Sequence, residues 1–152
     1  MDLLGRKMRK GSGVLFMNWL AEVNEILDRA RAHDELADLI GSVEKARDSL
    51  GASAMHLGGL GMQGNLPGAM LQASPFLEQF GCVALAVEAV EQARVALDRQ
   101  AAGGMSGDAA RRYRGKVLNL RFYVAHILPR AIATGRSIRS GDESCMDEAL
   151  FC

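Results

Sequence analysis

The sequence predicts an all-α protein, an antiparallel four-helix bundle with a short C-terminal tail. Of its 152 residues, 49% are hydrophobic but only 5% are aromatic, so small and aliphatic side chains would fill the helix interfaces. Apolar residues recur at helical spacing in four segments, and no segment alternates apolar and polar residues as a half-buried strand would. Four amphipathic helices with short connections bury their apolar faces best by packing antiparallel.

The bundle is expected over residues 14–139, preceded by a basic, glycine-punctuated lead-in at 1–13 that we expect to be extended. The first helix is predicted from about Val14 to His33. Its apolar stripe consists of Phe16, Trp19, Leu20, Val23, Ile26, Leu27 and Ala30.

Asp34 is a good N-cap for a second helix, because its carboxylate can accept hydrogen bonds from first-turn amides. We expect this helix to run to about Leu57 and to be followed by a glycine-rich loop at 58–68. Its apolar face consists of Leu36, Leu39, Ile40, Val43, Ala46 and Leu50.

A third helix is predicted from Pro67 towards Ala102, with a bend at Pro75. Proline suits the first turn of a helix, where its missing amide hydrogen is not needed. The predicted core positions are Leu77, Phe80, Ala84, Val87, Val90, Ala93 and Leu97.

Asp108 is predicted to cap the fourth helix, which would run to Ile138 and be kinked by Pro129. An interior proline costs about 3 kcal/mol, so strong packing on both sides of it is expected. The apolar face consists of Tyr113, Val117, Leu120, Val124, Ile127, Leu128 and Ala131. The tail at 140–152 has room for one or two helical turns.

The charge balance and the cysteine content argue against several classes of function. Eighteen basic and eighteen acidic residues cancel, which argues against nucleic-acid or membrane-surface binding. Cys82, Cys145 and Cys152 share no ligand spacing with histidines, so we expect no disulfide and no metal site, and a cytoplasmic location. Residues 49–77 contain no charged side chain but are broken by glycine and proline, which argues against a membrane span. The eight methionines are interpreted as gap-fillers between helices.

One motif suggests a nucleotide site. Gly59, Gly61 and Gly64 match the dinucleotide-binding pattern GxGxxG. That chemistry needs a strand before the glycines and an acidic residue about 20 positions later. A helical pattern precedes these glycines and Glu78 comes too early, so a flexible connector is the favoured interpretation.

The remaining candidate groups are basic or imidazole side chains. His56 lies beside the glycine-rich loop without an identifiable partner, and His126 is interpreted as a partly buried structural residue. The fourth helix carries a basic cluster, which could bind a phosphate-bearing ligand or an acidic partner but more simply forms a solvated face paired with neighbouring carboxylates. Its members are Arg111, Arg112, Arg114, Lys116 and Arg121.

Several motifs occur in the order seen in one enzyme family. They are Leu4-Gly5-Arg6-Lys7, Phe76-Leu77, Phe80-Gly81, Tyr113-Arg114-Gly115-Lys116, Arg121-Phe122-Tyr123, Ile127-Leu128-Pro129 and Ser140-Gly141-Asp142. Together they span nearly the whole chain. This sequence resembles the C-terminal helical domain of acyl-CoA dehydrogenase-like flavoenzymes that carry such an extra domain.

The resemblance implies a parent enzyme that binds FAD and oxidises an acyl-CoA. In that family the catalytic glutamate precedes the Leu-Gly-Arg-Lys segment, so we assign no catalytic, cofactor-binding or metal-binding residue here. We expect a fragment or truncated product, inactive alone, whose partner is the dehydrogenase core and which forms homo-oligomers. The alternative is a stand-alone helical oligomerisation or adaptor module.

Overall fold

The computed structural model describes residues 13–104 and 106–147, which form six α helices and no strand. The helices are α1 (Val14–Ala30), α2 (Ala37–Met62), α3 (Leu66–Leu71), α4 (Ala73–Ala101), α5 (Gly107–His126) and α6 (Pro129–Arg139). Short 3₁₀ helices cover Asp34–Leu36 and Ser144–Met146. The all-α prediction is confirmed. Of the lead-in predicted at 1–13, residues 1–12 lie outside the described residues, as do residues 148–152 of the predicted tail.

Helix α4 is the central element, since α1, α2, α5 and α6 all pack against it. It runs antiparallel to α2. His33, just before α2, hydrogen-bonds Asp98 near the end of α4 at 2.8 Å, whereas Ser49 in the middle of α2 contacts Gln79 near the start of α4.

Helix α5 also runs antiparallel to α4. Lys116 Nζ donates to Gln92 Oε1 at 3.0 Å, and further along α5 Tyr123 Oη donates to the Cys82 carbonyl, also at 3.0 Å. The later residue of α5 contacts the earlier residue of α4, so the two helices run in opposite directions.

One hydrophobic core joins these helices. The predicted apolar faces of α1 and α2 supply much of it, and Leu120, Leu128 and Ala131 are buried as expected. In α4 the predicted core positions Val87, Val90 and Ala93 are buried, but the prediction is wrong for Leu77, whose side chain is exposed. Phe76 and Val83, each one residue before a predicted position, are buried instead.

Helix α2 continues to Met62, five residues past its predicted end, so the first five residues of the expected glycine-rich loop are helical. Leu57 is buried and Leu60 packs against the core. Their burial offsets the low helix propensity of Gly58 and Gly59, which is about 1 kcal/mol for each glycine relative to alanine. The first helix, by contrast, ends at Ala30 rather than His33.

The predicted third helix is two helices. The helical conformation is interrupted at Gln72. Pro75 is the third residue of α4 and does not bend the interior of a helix. An amide in the first turn has no intrahelical acceptor, so proline loses no hydrogen bond there.

The predicted fourth helix is also divided. Helix α5 ends at His126 and α6 begins at Pro129, the position that proline favours most in a helix. The Tyr123 carbonyl accepts from the amides of both Ile127 and Leu128, which closes the last turn of α5. The proline therefore starts a helix instead of kinking one.

The predicted caps are wrong in detail. Ser106, not Asp108, caps α5, since its hydroxyl accepts from the Ala109 amide. Asp108 lies in the first turn and pairs with Arg111. Asp34 begins a 3₁₀ helix and makes no side-chain capping bond, and α2 starts three residues later.

Candidate docking surface

Exposed apolar side chains concentrate where α2 ends, α3 lies and α4 starts. Met55 and Met62 are 80% and 91% exposed. Residues 49–77, which we call the uncharged segment, contain no Asp, Glu, Lys or Arg. Its other exposed large apolar residues are Leu66, Met70 and Leu77.

The start of α1 adds apolar surface to the same end. Phe16 and Trp19 pack against Phe80, with ring centroids 6.3 and 4.6 Å apart respectively. Because Phe80 lies near the start of α4, the first turn of α1 lies beside the uncharged segment. That turn exposes Val14, Leu15 and Met17.

Such a surface is unusual for a part of a protein that faces water. Exposed single apolar residues are common, but several of them within one segment that has no charged residue of its own are typical of a protein interaction site. Methionine adapts its shape to a partner because its side chain is unbranched and polarizable. The methionines were expected to fill gaps between helices, and for Met55 and Met62 that expectation is wrong.

The turn between α2 and α3 is held by a polar cluster. Asn65 caps α3 by accepting from the Gly68 amide at 3.0 Å, and its amide group donates to Glu143 Oε1 at 2.7 Å. Gly68 is buried, and a Cβ there would collide with both Asn65 and Glu143. The residues after α6 therefore help to fix the position of α3.

A buried polar junction lies beneath this end and joins α2, α4 and α6. Arg139 Nη1 donates to the Ser49 carbonyl at 2.8 Å and to Ser53 Oγ at 2.9 Å. Gln79 Nε2 donates to Ser49 Oγ at 3.3 Å, and Gly135 of α6 lies directly against the cluster. Ser53 and Gln79 are fully buried, so these bonds set the relative position of the three helices.

The opposite end of the molecule is charged. Arg31 pairs with Glu44 at 2.6 Å across the α1–α2 connection. In α4, the hydrogen bond from Arg94 lowers the pKa of the Glu91 carboxyl below its ordinary value. The two ends thus differ in chemistry, since ion pairs cover one and apolar side chains the other.

The glycine motif does not form a phosphate-binding loop. Gly59 and Gly61 lie in the last turn of α2, and the segment before them is helix rather than strand. A dinucleotide site needs a strand, a tight turn and a helix whose N-terminus faces the pyrophosphate. These residues therefore do not fit a bound dinucleotide.

The two candidate histidines lie on different helices, His56 in α2 and His126 at the end of α5. His56 Nε2 is buried, with no hydrogen-bond partner among the described residues. His126 is exposed rather than partly buried, and its ring lies 4.6 Å from that of Phe122. The described residues contain no group of three or more His, Cys, Asp or Glu side chains able to hold a metal ion. They also include no helix both long and apolar enough to cross a membrane.

The basic cluster of α5 is only partly paired. Arg121 Nη2 contacts Glu35 Oε1 at 3.0 Å, which matches the expected pairing with a neighbour's carboxylate. Arg111 instead pairs with Asp108 of its own helix, and Lys116 binds the neutral amide of Gln92.

Comparison with known proteins identifies the relatives of this chain. A family model described as acetyl-CoA dehydrogenase C-terminal like matches residues 19–148. The chain is also similar to a butyryl-CoA dehydrogenase of Syntrophomonas wolfei subsp. wolfei (strain DSM 2245B / Goettingen), with 26% identity over 153 residues. That match covers 99% of this chain and 25% of the relative, so the chain spans about a quarter of the relative's length.

Proposed function

This chain belongs to the acetyl-CoA dehydrogenase C-terminal like family, and we propose that it packs as an accessory domain on an acyl-CoA dehydrogenase core. The observation that carries this proposal is the apolar surface formed by the uncharged segment and the start of α1. A dehydrogenase core is a partner that would cover that surface and keep it from water.

The role we assign to the domain is structural. The catalytic glutamate and the FAD site lie on other residues of the parent enzyme, which removes an α-proton from an acyl-CoA and passes a hydride to FAD. The domain shapes the subunit interface or the acyl-CoA entrance of a homo-oligomeric, cytoplasmic enzyme of fatty acid metabolism. The sequence resemblance supports this assignment, since no glutamate here matches the catalytic position.

We also propose that residues 14–139 act as one antiparallel four-helix bundle, with α5 and α6 together as its fourth member. The antiparallel contacts of α4 with α2 and with α5 support this arrangement. Residues 140–147 form the start of the tail, anchored by Glu143 on Asn65.

Sedimentation velocity of the chain mixed with an FAD-containing acyl-CoA dehydrogenase core from the same organism tests the docking. The wild-type chain should co-sediment with the core, and the double variant Met62→Glu, Met70→Glu should not, because it places two charges in the interface. Val95→Glu is the matched control, since Val95 is an exposed apolar residue in the second half of α4. Co-sedimentation of the double variant at wild-type affinity would refute the proposed surface.

A stand-alone oligomerisation or adaptor module is the second candidate, because the same apolar surface could bury itself against a second copy. Light scattering separates the two. A chain that is monomeric alone and acquires a partner only with the dehydrogenase core contradicts the adaptor function. A stable dimer that ignores the core contradicts the accessory-domain function.

A further inference from the structure

Helix α5 carries more positive charge than its surroundings neutralise. Its basic cluster contributes five cationic side chains, whereas Asp108 is the single carboxylate within the helix. The whole chain has a formal net charge of zero, so this helix is a local concentration of positive charge. Such a concentration attracts anions at close range even when the protein as a whole is neutral.

Neighbouring carboxylates leave part of that charge unpaired. Arg121 contacts Glu35, but both side chains are about half exposed, with 52% and 50% of their surface accessible. Asp98 of the adjacent helix is occupied by Arg94. Arg114 has no hydrogen-bond or ion-pair partner anywhere in residues 13–104 and 106–147.

The unpaired charge faces a cleft. An open cavity of about 470 Å³ lies between the end of α4, the 3₁₀ helix at Asp34–Leu36 and α5. Arg114 and Arg121 are two helical turns apart, so both project from the same side of α5. The lining residues are Glu35, Leu97, Gln100, Arg114, Val117, Leu118 and Arg121.

We propose that this cleft binds an organic phosphate. Guanidinium groups bind phosphate oxygens through paired hydrogen bonds, and Arg114 is available for this without breaking any contact. Arg121 can exchange its exposed, weak pairing with Glu35 for a phosphate oxygen. Leu97 and Leu118 provide an apolar wall for the organic part of the ligand, and the cavity volume lies within the range of small-molecule sites. This site is separate from the apolar surface formed by the uncharged segment and the start of α1, and the proposal does not depend on that surface.

Titration calorimetry of the 152-residue chain with inorganic pyrophosphate and with ADP tests the site. Both should bind, and ADP should bind about tenfold more tightly because its base and ribose reach the apolar wall. Arg114→Ala should weaken binding of both by about tenfold or more. Arg112→Ala is the control, since it removes the same charge from the same helix but not from the cleft, and it should change affinity by less than about twofold.

A second test uses one variant that should increase the affinity and a control that should not. Glu35→Gln should strengthen pyrophosphate binding several-fold, because it frees Arg121, whereas Asp108→Asn makes the same change in net charge outside the cleft and should have little effect. Equal effects of Glu35→Gln and Asp108→Asn, or of the two arginine variants, would mean non-specific charge attraction and overturn the proposal. Absence of pyrophosphate binding at about 5 mM would also overturn it, and equal affinities for pyrophosphate and ADP would refute the organic contact.

Discussion

Replacing Gly135 by alanine tests the buried polar junction most sharply. Gly135 is buried in α6, and a Cβ at this position would collide with Ser49 Oγ and Gln79 Nε2. The same Cβ would lie 3.0 Å from Arg139 Nη1. Ser49 hydrogen-bonds both Gln79 and Arg139, so none of these three neighbours can move without breaking a bond of the junction.

The expected change in stability is the balance of three effects. Alanine favours the helix over glycine by about 1 kcal/mol. Overpacking a filled interior costs about 1–3 kcal/mol. Displacing Ser49 or Gln79 leaves buried polar atoms without partners, which costs about another 1–3 kcal/mol. Gly135→Ala should therefore lower the free energy of unfolding by about 1–5 kcal/mol.

Gly115→Ala is the matched control for this change. Gly115 lies in the middle of α5, is exposed, and has no atom within 4 Å of the place its Cβ would take. Only the helix propensity changes there, so this variant should gain up to about 1 kcal/mol. Urea unfolding followed by circular dichroism measures both values, with unchanged slopes confirming that the compactness of each state is the same.

The two alanine variants must move in opposite directions. If Gly135→Ala is as stable as the wild type or more stable, then α6 does not pack on Ser49 and Gln79 as described. Crystals of a stable Gly135→Ala variant with an intact Arg139–Ser53 bond would refute the reasoning in the same way.

Three further predictions concern α5 and its neighbours. Leu120→Ala should lower the free energy of unfolding by about 2–5 kcal/mol, because Leu120 is fully buried. Leu118→Ala, at an exposed position, should change it by less than about 0.5 kcal/mol. Similar losses for the two variants in urea titrations would show that the wrong face was assigned to the core. Ser106→Ala should cost about 1 kcal/mol by removing the α5 cap, and an unchanged thermal midpoint would argue against that cap. Burial, with the nearby Cys82, raises the pKa of Tyr123 from 10.0 to about 12, so its stabilising effect is complete below pH 10 and is lost as the pH rises towards 12. Unfolding midpoints measured across that range should fall less steeply in Tyr123→Phe, and parallel declines would contradict the assignment.

Helix faces were predictable where apolar spacing is regular. The positions of Ile40, Val43 and Leu50 in α2 follow from periodicity alone, because burial of that stripe is the main source of helix stability in a folded domain. Helix ends were less predictable. Glycines after Leu57 resemble a loop, but packing of Leu57 and Leu60 carries α2 onwards to Met62.

Prolines were recognised but interpreted in the wrong positions. The sequence indicates that Pro75 and Pro129 disturb helices, yet the actual breaks fall before them, which places both prolines in first turns. Local helix propensity does not reveal where such a break falls, because the position of the break depends on how the helices on either side of it pack in the folded domain.

The exposed apolar surface at residues 49–77 could be predicted only in part. The absence of charge from residues 49–77 is visible in the sequence, but by itself it bears only on the question of a membrane span. Exposure of Met55 and Met62 depends on the tertiary structure, since methionine is common in cores as well. The cleft beside Arg114 depends likewise on three elements that are distant in sequence.

Amide hydrogen exchange of the chain, with and without an FAD-containing acyl-CoA dehydrogenase core, tests the central claim most directly. Docking through the apolar end should slow exchange in residues 49–77 and at the start of α1, while the charged end around Asp98 exchanges at an unchanged rate. Unchanged exchange across 49–77, or protection confined to α5, would contradict the proposal that the uncharged segment meets the dehydrogenase core.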